Sequence, residues 1–179
     1  MSIPFAFGAM IFWGIGDFLI QKTTRKAGDV AALTFIGIIG SIVLFPFITK
    51  DLVNLSNHAP LLILLGILTF AISIINFEAL KRGKLSVVEV MLQIELPVTV
   101  LLAIFLFQEV ISPLQTVLLA VIFFGLISLS SEKFTMKHLE KGVILALIAG
   151  VGSGFINVFT AYNAQLTSPL LTIWVAWVV

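Results

Sequence analysis

Three carboxylates stand inside apolar runs where charge is out of place. Asp17 lies in WGIGDFLIQ, and Glu89 and Glu95 bracket Gln93 in SVVEVMLQIELPVTV. A bare charge near the middle of a bilayer costs on the order of 3 kcal/mol. Such residues therefore belong to a bundle interior or a watery cavity, where they can hold a polar substrate or exchange protons. Asp17 shares a helical face with Gly14 and Gln21, at spacings of three and four residues. Trp13, one turn from Asp17, is placed either to stack on a substrate or to pack. Asp17 equally fits a carboxylate at the membrane edge reaching toward Lys22 or Lys81.

The second constellation is the more polar. Ser86, Glu89, Gln93 and Pro97 fall within about 80° of arc at about 100° per residue, with Glu95 and Thr99 on a neighbouring flank. Pro97 has no N–H, so the Gln93 carbonyl loses its helical partner. Lipid does not tolerate an unsatisfied carbonyl, so this turn must be buried in protein or line a cavity. Glu95, near mid-depth, suits proton exchange; it also fits a structural bond to Asn76 or another polar partner. Thr69, Ser73 and Asn76 form one further polar face, and Ser153, Asn157 and Thr160 another. The candidate substrate-contacting set is Trp13, Asp17, Asn76, Glu89, Gln93, Glu95 and Asn157. Glu78, Lys81 and Arg82 read instead as a solvated ion-pair cluster at the membrane edge.

Other chemistries find little support. With no cysteine there is no disulfide or thiolate site. His58 and His138 both fall in expected loops, no HExxH pair occurs, and GVGSGF misses the G-x-S-x-G spacing around Ser153. A Walker-type phosphate loop is missing too. Neither an enzyme nor a nucleotide-driven pump is predicted, and no cofactor or metal. A net charge of +1 provides no basic field for nucleic acid.

The elements that must position these residues are membrane spans. Of 179 residues, 60% are hydrophobic and 11% charged, more apolar surface than a soluble domain of this length can hide. Spanning about 30 Å of hydrocarbon takes about 20 helical residues. Spans are expected near 3–21, 30–48, 60–80, 86–107, 112–131 and 142–161, with a seventh beginning near Ser168. Nine of the ten bases follow spans one, three and five, and only Lys50 falls on the other side. The positive-inside rule then puts those loops in the cytoplasm and the N-terminus outside, in a multi-pass protein of the cell membrane. No cleaved signal peptide is expected. Small-xxx-small pairs such as Gly37/Ser41 and Gly150/Gly154 suit close helix packing.

Gly14-Ile15-Gly16-Asp17 lines up with Gly150-Val151-Gly152-Ser153, and Ile20-Gln21 with Ile156-Asn157, at a constant offset of 136 residues. Five spans separate the copies, so the second enters the membrane from the opposite face. The expected fold is an all-α membrane protein, a multi-span helical bundle built on a five-span inverted repeat. Residues 1–131 form the first unit, 132–141 a cytoplasmic linker, and 142–179 the start of a second unit. That unit is expected to be incomplete, because the copy of span two would run from about 166 to 184.

The order Trp13-Gly14, Ala79-Leu80, Ser86, Pro97, Glu109 and Gly125 resembles the EamA domain of the drug/metabolite transporter superfamily. The resemblance implies ten spans in two five-span repeats and transport of small metabolites. Glu109 matches the motif but reads as a structural residue at a helix end. Many such proteins carry their bases after span two; here KDLVNLSNHAP holds one lysine. Small multidrug resistance relatives carry a buried glutamate that aligns nearer Trp13, so its role does not transfer to Asp17. The expected function is a secondary carrier of small organic metabolites working by alternating access. Its partners would be a small-molecule substrate and the lipid bilayer, with protons and a second copy of the chain as further candidates. The alternative is a non-transporting membrane assembly protein or an inactive transporter fragment.

Overall fold

The computed structural model describes residues 2–108, 110–131 and 141–179. Eight helices follow one another: α1 (Ser2–Ala27), α2 (Asp29–Ile48), α3 (Leu55–Arg82), α4 (Leu85–Leu92), α5 (Glu95–Phe107), α6 (Pro113–Ser131), α7 (Lys141–Leu166) and α8 (Pro169–Val178). A short 3-10 turn, Asp51–Asn54, leads into α3. No strand occurs among the described residues. An all-helical bundle is what lipid demands of an open chain, because each helix satisfies its own backbone groups. Among the described residues, four helical stretches are long and apolar enough to cross a membrane: α2, α3, α4 with α5 (Leu85–Phe107), and α7. Pro113–Gly125 of α6 and the whole of α8 are shorter apolar helices.

Several boundaries differ from the sequence expectations. The first helix continues to Ala27, so Lys22, Arg25 and Lys26 ride on its last turns rather than in a loop. Basic side chains there suit the negative end of the helix dipole. His58 lies near the start of α3 rather than in a loop, because that helix begins at Leu55. Span four is two helices, divided at Gln93–Ile94. Glu109, His138 and residues 132–140 of the expected linker lie outside the described residues.

The helices pack around α7, which lies against α3, α4, α5 and α8, while α8 also packs on α2 and α3, and α1 on α2 and α3. One buried cluster, Ala79, Leu80, Val88, Leu92, Ala146 and Ala149, joins α3, α4 and α7, with Ile20 of α1 against it. A second, Ile48, Leu62, Leu171 and Val175, joins α2, α3 and α8. The outward faces remain apolar, as in Ile38, Ile42 and Phe47 of α2, which fits a helix surrounded by hydrocarbon.

Local chemistry explains the joins. Gly28, between α1 and α2, has φ 88°, a conformation that costs glycine little and other residues more. Ser168 caps α8: its hydroxyl accepts from the Leu171 N–H at 3.2 Å and donates to Asp51 Oδ2, and Pro169 follows at the first turn. Trp174 donates to the Ser41 carbonyl at 3.0 Å, and the Trp177 ring lies over Gly40 where a side chain would stand. The Gly37/Ser41 face thus receives α8 closely, the role its small residues suggest.

Candidate site at the broken fourth span

The division of span four follows from Pro97. Without its N–H, the Gln93 carbonyl accepts from the Leu96 N–H instead, at 3.1 Å, and the Ile94 N–H turns to Met91 at 3.3 Å. These tighter bonds narrow the backbone and separate α4 from α5. Glu89 lies one turn before the break and Glu95 just after it, both half-buried, with Gln93 in the break itself.

Glycines of α7 admit this irregular backbone. A Cβ on Gly150 would stand 2.8 Å from the Leu92 carbonyl oxygen and 2.6 Å from an Ile94 methyl. On Gly154 it would stand 2.7 Å from Val98 Cβ and 3.2 Å from the Glu95 carbonyl oxygen. Asn157, one turn beyond Gly154 and exposed, donates its amide to Thr99 Oγ1 at 3.3 Å, and Thr99 makes a long contact of 3.5 Å with the Gly154 carbonyl. The break is therefore held by close backbone packing on one side of α7 and by a polar step just above it.

The opposite wall comes from α1 and α3. Gln21 is buried and donates to the Leu80 carbonyl at 2.8 Å and the Gly83 carbonyl at 3.3 Å. Arg25 reaches the same helix end, with Nη2 2.9 Å from the Gly83 carbonyl. Two consecutive hairpins make α1 and α3 run the same way. Asp17 and Asn76, each four residues before Gln21 and Leu80, then stand at matching heights. Along α7, Gly142 faces Gly83 and the Ala79 carbonyl, and Gly152 faces Ile72, so Asn76 falls between them. Glu89 lies about one turn below the level of Gly150 and so close to the same height.

Asp17, Glu89 and Glu95 lie within electrostatic reach of one another: Asp17 acts on both glutamates, and Glu95 on Glu89. Asn76 Oδ1, Thr69 Oγ1 and Glu89 Oε1 are fully buried atoms without a hydrogen-bond partner in the protein. The Asn76 oxygen is thus not bonded to Glu95. Lys81 pairs with Asp29 at 3.5 Å and Glu78 at 3.2 Å, and Arg82 pairs with Glu78, so the edge cluster expected from sequence forms and gains Asp29. Lys81 is not spent on Asp17.

The expected residues divide as follows. Glu89, Gln93 and Glu95 lie at the break with Asp17 in electrostatic reach of the two glutamates, Asn76 stands on α3 at the Asp17 height, Asn157 stands above the break through Thr99, and Trp13 projects outward, 74% exposed. Sequence reasoning left out Gln21 and Arg25 as the ties that set the height of Asp17. The signal for Gln21 was its place on the Asp17 face; for Arg25 there was none beyond a charge near a helix end. A groove of about 440 Å³ also runs between α5 and α6 from Ile111 down to Thr99, walled by Ala103, Ile104, Leu118 and Ile122. It ends at Thr99, beside the Thr99–Asn157 step.

A helical membrane bundle with a proline-broken span and half-buried acids fits a membrane transporter. The chain belongs to the EamA-like transporter family, whose model matches residues 1–131. No protein of curated function and no solved structure matches it. It is an integral membrane protein of a transporter family in the drug/metabolite superfamily, a family that implies a small-molecule substrate and a lipid environment for the protein.

Proposed function

We propose that the chain acts as a secondary carrier of small organic metabolites, by alternating access around the layer of Asp17, Asn76, Glu89, Gln93 and Glu95. The single observation that carries this is the broken fourth span, with a glutamate on each side and one buried, unpartnered oxygen on Glu89. Broken helices near mid-membrane free backbone groups for ligands and give two segments that can tilt separately. Trp13 and Asn157 belong to the outer rim of this reading. The acids suit coupling to protons. Residues 1–131 form one five-span unit and 142–179 begin a second, inverted one, with the N-terminus outside and 132–141 in the cytoplasm. A second copy of the chain is a candidate partner.

Reconstitution into proteoliposomes with an imposed pH gradient and a metabolite panel tests the proposal. Flux should appear for at least one compound, and Asp17→Asn, Glu89→Gln and Gln93→Leu should each reduce it about tenfold or more while insertion persists. Normal flux in all three variants would remove the site assignment. The second reading, a membrane assembly protein, draws on the α1 face at Gly14 and Gly16, where an added Cβ would meet nothing within 4 Å. It predicts stable complexes and no flux.

A further inference from the structure

The layer around Asp17 has a one-sided chemistry. Its fully buried, unpartnered atoms are Asn76 Oδ1 and Glu89 Oε1, both oxygens; Thr69 Oγ1, also unpartnered, lies two turns further along α3. An amide or carboxylate oxygen can only accept, and a threonine hydroxyl both accepts and donates. Asp17 and Glu95 add two more carboxylates within electrostatic reach of Glu89. No base stands at this height. Lys22 and Lys81 each lie five residues past Asp17 and Asn76, about 7.5 Å along the helix at 1.5 Å per residue. Lys22 is exposed, and Lys81 is engaged with Asp29 and Glu78.

Packing sets where the α3 oxygens stand. On α3, Ile72 faces α7 at Gly152 and the Leu80 carbonyl meets Gln21 of α1. At about 100° per residue, Asn76 lies about 40° and Thr69 about 60° round from Ile72, with Leu80 at about 80°. Asn76 thus lies on the side of α3 between its α7 and α1 contacts, and Thr69 lies on the same side two turns above it. Below them the packing is dry, with Ile20 against Ala79, Leu80, Val88 and Ala146, while Leu92 and Ala149 of the same cluster stand at the level of Gly150. Asp17 and Asn76 stand three residues above Ile20 and Ala79, and Glu89 directly follows Val88. Acceptors gathered over an apolar floor, with nothing cationic beside them, call for a partner that brings both charge and N–H groups.

We infer that the Asp17–Asn76–Glu89 layer binds a small organic ammonium ion, a primary amine whose N–H groups reach the Asn76 and Glu89 oxygens. This names the substrate class of the carrier site proposed above and rests on that reading for its role in transport, but binding tests it separately. Charge alone does not satisfy an amide oxygen, so a quaternary ammonium of similar size fits less well.

Equilibrium dialysis of the full chain in nanodiscs measures this directly, with labelled putrescine as the probe and tetramethylammonium, succinate and glucose as competitors. Putrescine should bind saturably, displaced at least tenfold more weakly by tetramethylammonium and not by succinate or glucose. Glu89→Gln and Asn76→Leu should each weaken binding about tenfold, with monodisperse elution and unchanged helicity as the folding control. Lys22→Ala, outside the layer, should bind as the parent does. Absence of saturable putrescine binding overturns the inference, as does binding that succinate displaces or that both layer variants retain. Binding without flux in proteoliposomes keeps the ammonium site and removes the carrier; flux of an anion or sugar without amine binding does the reverse.

Discussion

Gly14 and Gly150 correspond at the 136-residue sequence offset, yet their surroundings differ, and alanine at each position measures that difference. A Cβ at Gly14 meets nothing within 4 Å. At Gly150 it would stand 2.8 Å from the Leu92 carbonyl oxygen, short of the 3.4 Å where ordinary contact begins, so the backbone of the break must retreat about 0.6 Å. The Ile94 methyl, at 2.6 Å, must move as well. Overpacking of this kind costs about 1–3 kcal/mol. Alanine also gains about 1 kcal/mol over glycine within a helix, and both variants share that gain. The difference between them therefore isolates the clash: Gly150→Ala should be less stable than Gly14→Ala by about 1–3 kcal/mol, a factor of roughly 5 to 150 in the folding equilibrium. Reversible unfolding in mixed micelles, titrated with a denaturing detergent and followed by helicity, gives both values on one scale. Equal midpoints would refute the argument that α7 holds the break through backbone contact.

Three further outcomes follow from single contacts. Pro97→Ala restores an N–H where the Gln93 carbonyl now accepts from Leu96, so α4 and α5 should merge; amide exchange at residues 94–98 should slow and flux should fall about tenfold. Gln21→Leu leaves the Leu80 carbonyl without its side-chain donor, while Gly83 keeps Arg25, and should cost about 1–3 kcal/mol, read by the same micelle titration. Ser168→Ala removes the cap of α8 and its link to Asp51 and should cost about 1 kcal/mol, while Ser168→Thr should recover most of it.

Much of the bundle was legible because lipid reduces folding to a few rules. Apolar runs of span length located the long helices. Pro97 announced the break through the carbonyl it strands, and Gly150 with Gly154 announced a close approach. The ion pairs of Glu78 with Lys81 and Arg82 followed from spacings of three and four. What stayed hidden depends on partners distant in sequence. Trp13 beside Gly14 could equally stack or pack, and only the placement of α1 turns it outward. Arg25 looked like one more loop charge until α3 ended beside it. Nothing in the residues around Asp51 marks it as the partner of Ser168, 117 positions later.

The two glycine-bearing helices differ in how firmly they are held, and that difference bears on how the acid layer can open. α7 is gripped along its length, by Gly83 at Gly142, Leu92 and Ile94 at Gly150, Ile72 at Gly152 and Val98 at Gly154. α1 is tied near its C-terminal end, where Gln21 and Arg25 hold the carbonyls of Leu80 and Gly83, while Gly8, Gly14 and Gly16 have no neighbour within reach of a Cβ. Under the proposed alternating access, a helix tied near one end and with open space at its glycines is suited to swing about its tie. Asp17 sits one turn from that tie, so a swing of α1 moves the carboxylate little and its N-terminal half a great deal. Access to the layer would then change from the Trp13 side while the Asp17–Glu89 geometry persists. Alternating access needs that separation of gate from site, because a substrate must stay bound while the path to it moves.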